Sequence, residues 1–258
     1  MRTKNFLFAL TLPILALSSC SVELSEHVRA FLNALKPSQA QSSVDGATYT
    51  LKEDYYVRLI DEEGTYYYEE EGRTGGYTEE FSLTFIADQY AYRIEETWDG
   101  DAVTEDEDLG FRLYSRTTTL TSSEDGSTWI KTTVSRGLSG QSATSVDEDL
   151  LSGNAKDEVV NLLMGQYNDA YSGGLYYGDY LRTYSKNFGD RMSVTDDGEY
   201  LVFDPPAQGV SEDSENFYDL MIKVNTLGFM EERTVLAYDE TEEQFAVQES
   251  SATYRYID

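Results

Sequence analysis

Phe81-Ser82-Leu83-Thr84-Phe85-Ile86-Ala87-Asp88-Gln89-Tyr90-Ala91-Tyr92-Arg93-Ile94 is the stretch that decides the fold class. Phe81, Leu83 and Phe85 alternate with Ser82, Thr84 and Ile86, and Tyr90, Tyr92, Ile94 and Trp98 alternate with Ala91, Arg93, Glu95 and Thr97. A period of two is the period of a pleated strand, whose successive side chains point to opposite faces. Asp88-Gln89 separates the two runs, so they read as neighbouring antiparallel strands with their apolar sets on one face. That face is expected to be covered, and the face carrying Ser82, Thr84, Arg93 and Glu95 to be wet.

The same pattern continues outward. Thr48 to Ile60 and Gly64 to Glu70 are rich in Tyr, Val, Ile and Thr, with Glu62-Glu63-Gly64 as a tight turn and a break at Gly72 to Gly76. Phe111 to Thr121 and Thr128 to Ser135 flank a hairpin turn at Glu124-Asp125-Gly126. Strand signals return at Arg191–Val194, Glu199–Phe203, Asn216–Leu227, Arg233–Tyr238 and Gln244–Ile257, parted by Asp196-Asp197-Gly198, Asp204-Pro205-Pro206 and Asp239-Glu240-Thr241-Glu242. Before them, Val22 to Lys36 reads as a helix: Leu24, Val28, Phe31, Leu32 and Leu35 form one apolar stripe that Pro37 ends. Ser38 to Gly46 is small and polar and reads as a linker or turn. Asp147 to Ala170 predicts a helical insertion, while Tyr171 to Asp190, rich in Gly and Tyr, carries no clear period.

Composition closes off several classes. The chain has 258 residues, with 19 Lys+Arg against 48 Asp+Glu and a formal net charge of -29. Such a surface repels phosphates, so nucleic acid is excluded as a partner. One Cys allows no disulfide framework within the chain, and one His allows no multi-histidine metal site. The content of 40% hydrophobic and 13% aromatic residues is enough to build a core, which argues against wholesale disorder.

The amino terminus reads as a targeting segment. Arg2 and Lys4 precede a mostly apolar run from Phe6 to Leu17, shorter than the roughly 20 residues a spanning helix needs. The run ends in Leu17-Ser18-Ser19-Cys20, which resembles the bacterial lipobox. The resemblance implies that Cys20 receives a diacylglyceryl group and becomes the new amino terminus. The chain from Cys20 then holds 17 basic and 48 acidic residues, a formal charge of -31. Anionic headgroups repel such a body, so the membrane is expected as a partner through the acyl anchor alone, on the extracytoplasmic side of the cell membrane or outer membrane.

Helix, long meander, helical insertion and further strands, in that order, resemble the LolA-like and LppX/LprG-like half-barrel lipoproteins. The residues carrying the likeness are Cys20, the helix Leu24–Leu35 leading into Tyr49 to Ile60, and the tail Leu220 to Tyr238. The resemblance implies an α+β, β-dominated fold: a strongly curved antiparallel sheet with an N-terminal helix and an insertion covering its concave face. The expected organisation is a signal peptide over 1–19, an acylated Cys, helix and tether over 20–46, and one sheet domain over 47–258 with its insertion at about 147–170. A face of this kind that is left unfilled would be lined by Phe81, Leu83, Phe85, Tyr90, Tyr92 and Ile94, the candidate lining for a lipid or other apolar ligand.

No motif favours catalysis. His27 lies on the helix between Glu26 and Val28 without a nucleophile at a triad spacing, and Gly137-Leu138-Ser139-Gly140 lacks a residue of the nucleophile elbow. An enzyme is therefore not expected, nor a cofactor. The acidic loop from Asp99 to Asp108 could offer oxygens to Ca²⁺, but Val103 takes the third ligand position of an EF-hand, and a solvated loop is the expectation, with no metal. Tyr66-Tyr67-Tyr68 and Tyr176-Tyr177-Gly178-Asp179-Tyr180 suit either a binding face or ordinary filling of a pleated surface. Two readings follow: an anchored carrier with an open, apolar-lined sheet, or a surface interaction lipoprotein whose sheet is filled by its own side chains.

Overall fold

The computed structural model describes residues 23–60, 66–86, 89–100, 102–122, 129–149, 163–164, 175–205, 218–239 and 244–257. The expected signal segment, Cys20, and the expected turns at Glu62-Glu63-Gly64 and Glu124-Asp125-Gly126 lie outside the described residues.

The chain is β-dominated. Its strands are β1 (Val44–Ile60), β2 (Tyr66–Ile86), β3 (Gln89–Gly100), β4 (Thr104–Asp106), β5 (Phe111–Ser122), β6 (Trp129–Gly137), β7 (Ser142–Asp149), β8 (Met192–Val194), β9 (Tyr200–Phe203), β10 (Tyr218–Asn225), β11 (Met230–Asp239) and β12 (Gln244–Tyr256). They form one sheet in the order β7-β6-β5-β3-β2-β1-β12-β11-β10-β9-β8, with β4 paired to β5. Every pairing is antiparallel. The sheet is open, with β7 and β8 as its edges, the arrangement a half-barrel requires. The β1–β12 pairing joins the two meanders across some two hundred residues of sequence, from Val44↔Tyr256 to Val57↔Gln244.

The α-helices seen in full among the described residues are α1 (Glu26–Ala34), α2 (Pro37–Ser42) and α3 (Gly178–Phe188). The expected helix from Val22 to Lys36 is trimmed to α1, because the Ser25 hydroxyl accepts from the Val28 N–H at 3.2 Å and so sets its start. Val28, Phe31, Leu32 and Leu35 are buried, as the stripe predicted. The expected linker is instead α2 followed by the start of β1. Pro37 does not merely end α1; it opens α2, where its missing N–H costs nothing and its fixed φ suits the first turn.

Two other expectations change. Gly72 to Gly76 does not break the chain but lies inside β2, where Arg73 stands opposite Tyr56 and Gly75 opposite Tyr55, so that one residue is bulged out. The helical insertion does not begin at Asp147, since β7 runs through Asp149 and pairs with β6 along its length. Of the remainder only Leu163–Met164 is described, in a helical turn with Leu163 buried. Tyr171 to Asp190, without a clear period, holds α3, whose first residues follow a short bridge between Tyr176 and Phe229.

The core lies on one face, between the helices and β8 to β12 with the start of β1. Leu201, Phe203, Ile222, Val224 and Phe229 are fully buried there. Asn225 holds the adjoining β10–β11 turn. Its side-chain carbonyl accepts from the N–H groups of Leu227 and Phe229 at 3.0 and 3.2 Å, and its NH₂ donates to the Tyr256 hydroxyl at 3.0 Å. Gly228 completes that turn at φ +89, and a β-carbon there would meet the Tyr176 ring at 2.8 Å.

Candidate functional site

Antiparallel pairing places residues of neighbouring strands side by side, so the register divides the core-side face into ranks that cross the sheet. Tyr92, Leu83, Ala47 and Tyr254 occupy one rank on β3, β2, β1 and β12. Ile94, Phe81, Tyr49 and Ala252 occupy the next. These two ranks are apolar apart from tyrosine hydroxyls. Beyond them stand Glu96, Glu79, Leu51, Ser250 and Arg233, the last on β11. The outermost of the four is Trp98, Tyr77, Glu53, Gln248 and Val235. Each step spans two residues along the strands, about 7 Å.

The candidate lining read from the sequence falls on this surface. Phe81 stands opposite Ile94, Leu83 opposite Tyr92 and Phe85 opposite Tyr90, so these six positions share one face as the alternation required. Ile94 is half-buried and packs at the margin of the core, as does Leu120 on β5. The side chains of Phe81, Leu83, Phe85, Tyr90 and Tyr92 lie outside what the structure describes, as does Cys20.

The polar end was not visible in sequence. Glu53 and Gln248 are only 6% and 7% exposed, and the Gln248 amide donates to the Glu53 carboxylate. Tyr77 and Trp98 stack with their ring centroids 5.6 Å apart, and the Arg116 guanidinium lies 5.9 Å over the Trp98 ring. Arg116 also pairs with Asp106 at 3.1 Å. One rank inward, the Ser250 hydroxyl lies 3.2 Å from that of Tyr49 in the rank beyond, and Arg233, buried, donates to the Tyr177 hydroxyl at 3.1 Å. Buried polar groups of this kind cost free energy unless they are paired, and each of these has a partner.

The other sequence candidates have structural places. His27 is exposed on α1. The acidic loop carries β4, and its Asp106 carboxylate accepts from the N–H groups of Asp108 and Leu109 at 3.2 and 3.1 Å besides holding Arg116. Among the described residues, no three His, Cys, Asp or Glu side chains converge as a metal site would need. Tyr176, Tyr177 and Tyr180 belong to the packing of α3: Tyr176 meets Phe229 edge-on, and Tyr177 meets Tyr180 edge-on at 5.8 Å. Tyr180 and Tyr184 in turn pack on Phe203, so this cluster packs against the core.

No family model and no curated protein matches the chain. Among solved structures, a beta-barrel-like protein of domain of unknown function DUF1849 from Brucella abortus is similar at 11% identity and a TM-score of 0.28, covering 84% of this chain and 100% of its own. A DUF1329 family protein from Desulfovibrio piger is similar at 11% identity and a TM-score of 0.23, covering 89% of this chain and 94% of its own. At these scores the fold rests on the strand pairing described above and not on the likeness.

Proposed function

We propose that this chain is an acyl-anchored, extracytoplasmic lipoprotein whose sheet binds an amphiphilic, lipid-like ligand. The observation that carries this reading is the grading of the core-side face. Two apolar ranks adjoin the core, and about 13 Å further along the strands stands the rank of Trp98, Tyr77, Glu53 and Gln248. An apolar chain would lie against Ile94 and Leu120, and a polar head would meet aromatic edges and paired hydrogen-bonding groups. Binding sites commonly combine such an apolar lining with a few placed polar groups. Anchoring is supported by Leu17-Ser18-Ser19-Cys20, and no catalytic role is assigned to any residue.

Native purification followed by mass spectrometry of an organic extract tests the ligand. A bound amphiphile in near-stoichiometric amount, displaced by an apolar fluorescent dye, is the expected result. An empty extract together with no dye binding would overturn it. A second reading, the interaction lipoprotein, is favoured by one specific observation, the exposed edge strand β7.

A further inference from the structure

We infer that β7 is a docking edge for an extended, lysine- or arginine-bearing segment of another protein, which adds to the sheet as a further strand. The inference rests on the interaction reading and is independent of ligand binding at the graded face. β7 ends the sheet order, and its pairing with β6 runs in continuous register from Trp129↔Asp149 to Arg136↔Ser142 without a bulge. Among the described residues, no strand pairs with its outer side. A strand left in that state presents a row of backbone N–H and C=O groups.

Sheet edges are ordinarily blunted by shortness, bulges, proline, charged side chains (lysine above all) or a covering element. The other edge of this sheet is treated in that way, because β8 has three residues and packs against α1. β7 is eight residues long, and Ser142-Ala143-Thr144-Ser145-Val146-Asp147-Glu148-Asp149 contains neither proline nor a basic residue. Ser142, Thr144, Ser145 and Val146 are exposed, Val146 by 58%. On the adjacent strand Ile130, 47% exposed, is a diagonal neighbour of Val146 on the same face. The edge therefore offers apolar contact as well as main-chain hydrogen bonds, the two elements by which an added strand is recognised.

Charge selects the occupant. Asp147, Glu148 and Asp149 close the strand in a chain of net charge -29. A second copy brings the same charge and is repelled, whereas a cationic strand is drawn in. A partner alternating basic residues with valine or threonine would set its apolar side chains beside Val146 and Ile130.

The probe is a fluorescent decapeptide alternating threonine and lysine, with one central valine, titrated into the full chain in nonionic detergent. Two control peptides replace the valine by proline or every lysine by glutamate. Saturable binding is expected, with slowed amide exchange confined to residues 142–149, and about ten-fold or weaker binding of both controls, since proline removes a ladder donor. Thr144→Lys with Val146→Lys should weaken binding by about ten-fold or more, because it supplies the edge charge that natural sheets use to refuse partners. Equal binding of the proline peptide would mean charge attraction alone and overturn the inference. So would protection elsewhere, unchanged binding by the double variant, or a dimer of the chain that excludes the peptide. The exchange measurement on the unaltered chain decides the matter even if the double variant does not fold. Failure here leaves the organic-extract result untouched, so the two readings fail separately.

Discussion

Arg182 Nε lies 3.1 Å from the carbonyl oxygen of Leu32 and donates to it, while the same guanidinium donates to the Leu35 carbonyl. The last carbonyls of a helix lack partners within the helix, and a cation there also meets the negative end of its dipole. Asp179, one turn earlier on α3, holds Arg182 in place at 2.7 Å. The helix nearest the proposed anchor is thus fastened to the helix that covers the core.

Arg182→Ala should cost about 1.5–3 kcal/mol, the usual range for hydrogen bonds to a charged group. Arg182→Lys should recover little of it, because an ammonium cannot reproduce the fork. Urea denaturation measures the loss, and limited proteolysis should show α1 cut first. Equal stability of all three proteins would show that the guanidinium fastens nothing.

Core and graded face should respond differently to truncation. Ile222 is fully buried, so Ile222→Ala should cost about 2–5 kcal/mol. Ile94 sits half-buried at the margin, and Ile94→Ala should cost less than half of that while weakening apolar-dye binding. Denaturation and dye titration of the two variants make the comparison. A full core penalty at Ile94, with no dye bound by the parent chain, removes the carrier reading.

Alkaline stability should depend on Tyr254. Burial holds its phenol well above the ordinary value near 10, and charge on Tyr256, Glu231, Tyr177 and Tyr49 adds to this. Above that value the unfolded chain releases the proton while the folded chain keeps it, so stability is intact below about pH 10 and falls as pH rises beyond it. Tyr254→Phe should flatten this fall and cost about 1 kcal/mol near neutrality, through the lost hydrogen bond to the Met230 carbonyl. Melting curves from pH 7 to 11 for both proteins provide the check.

Calcium should raise the melting temperature no more than equal ionic strength does. The Asp106 carboxylate is already committed to two backbone N–H groups and Arg116, and dense carboxylates attract cations without a site. A saturable rise at low micromolar Ca²⁺, lost in Asp106→Asn, would refute this expectation.

Cys20→Ala should move the chain from the detergent phase to the aqueous phase in Triton X-114 separation. A body of such charge has no affinity of its own for anionic bilayers, so the acyl chains carry the association. Retention of the variant in the detergent phase would place the anchor elsewhere.

Alternation is a local property, and so most of the strands were legible in sequence, whereas β7 and the middle of β2 were not. Phe81, Leu83, Phe85, Tyr90, Tyr92 and Ile94 reveal their shared face within fourteen residues, because antiparallel pairing in this register keeps these six on one side. The stripe of α1 was legible for the same reason. α2 was hidden because proline reads as an ending although it also opens helices, and α3 because its spacing of Tyr177, Leu181, Tyr184 and Phe188 is masked by neighbouring glycine and tyrosine. What only the tertiary structure decided is the polar end of the graded face and the exposed edge. Glu53, Tyr77, Trp98 and Gln248 meet through pairings that include β1 with β12, and no local period announces a contact between residues nearly two hundred positions apart. Whether a strand is an edge depends on which strands are absent beside it, and that is a property of the assembled sheet, not of Ser142 to Asp149.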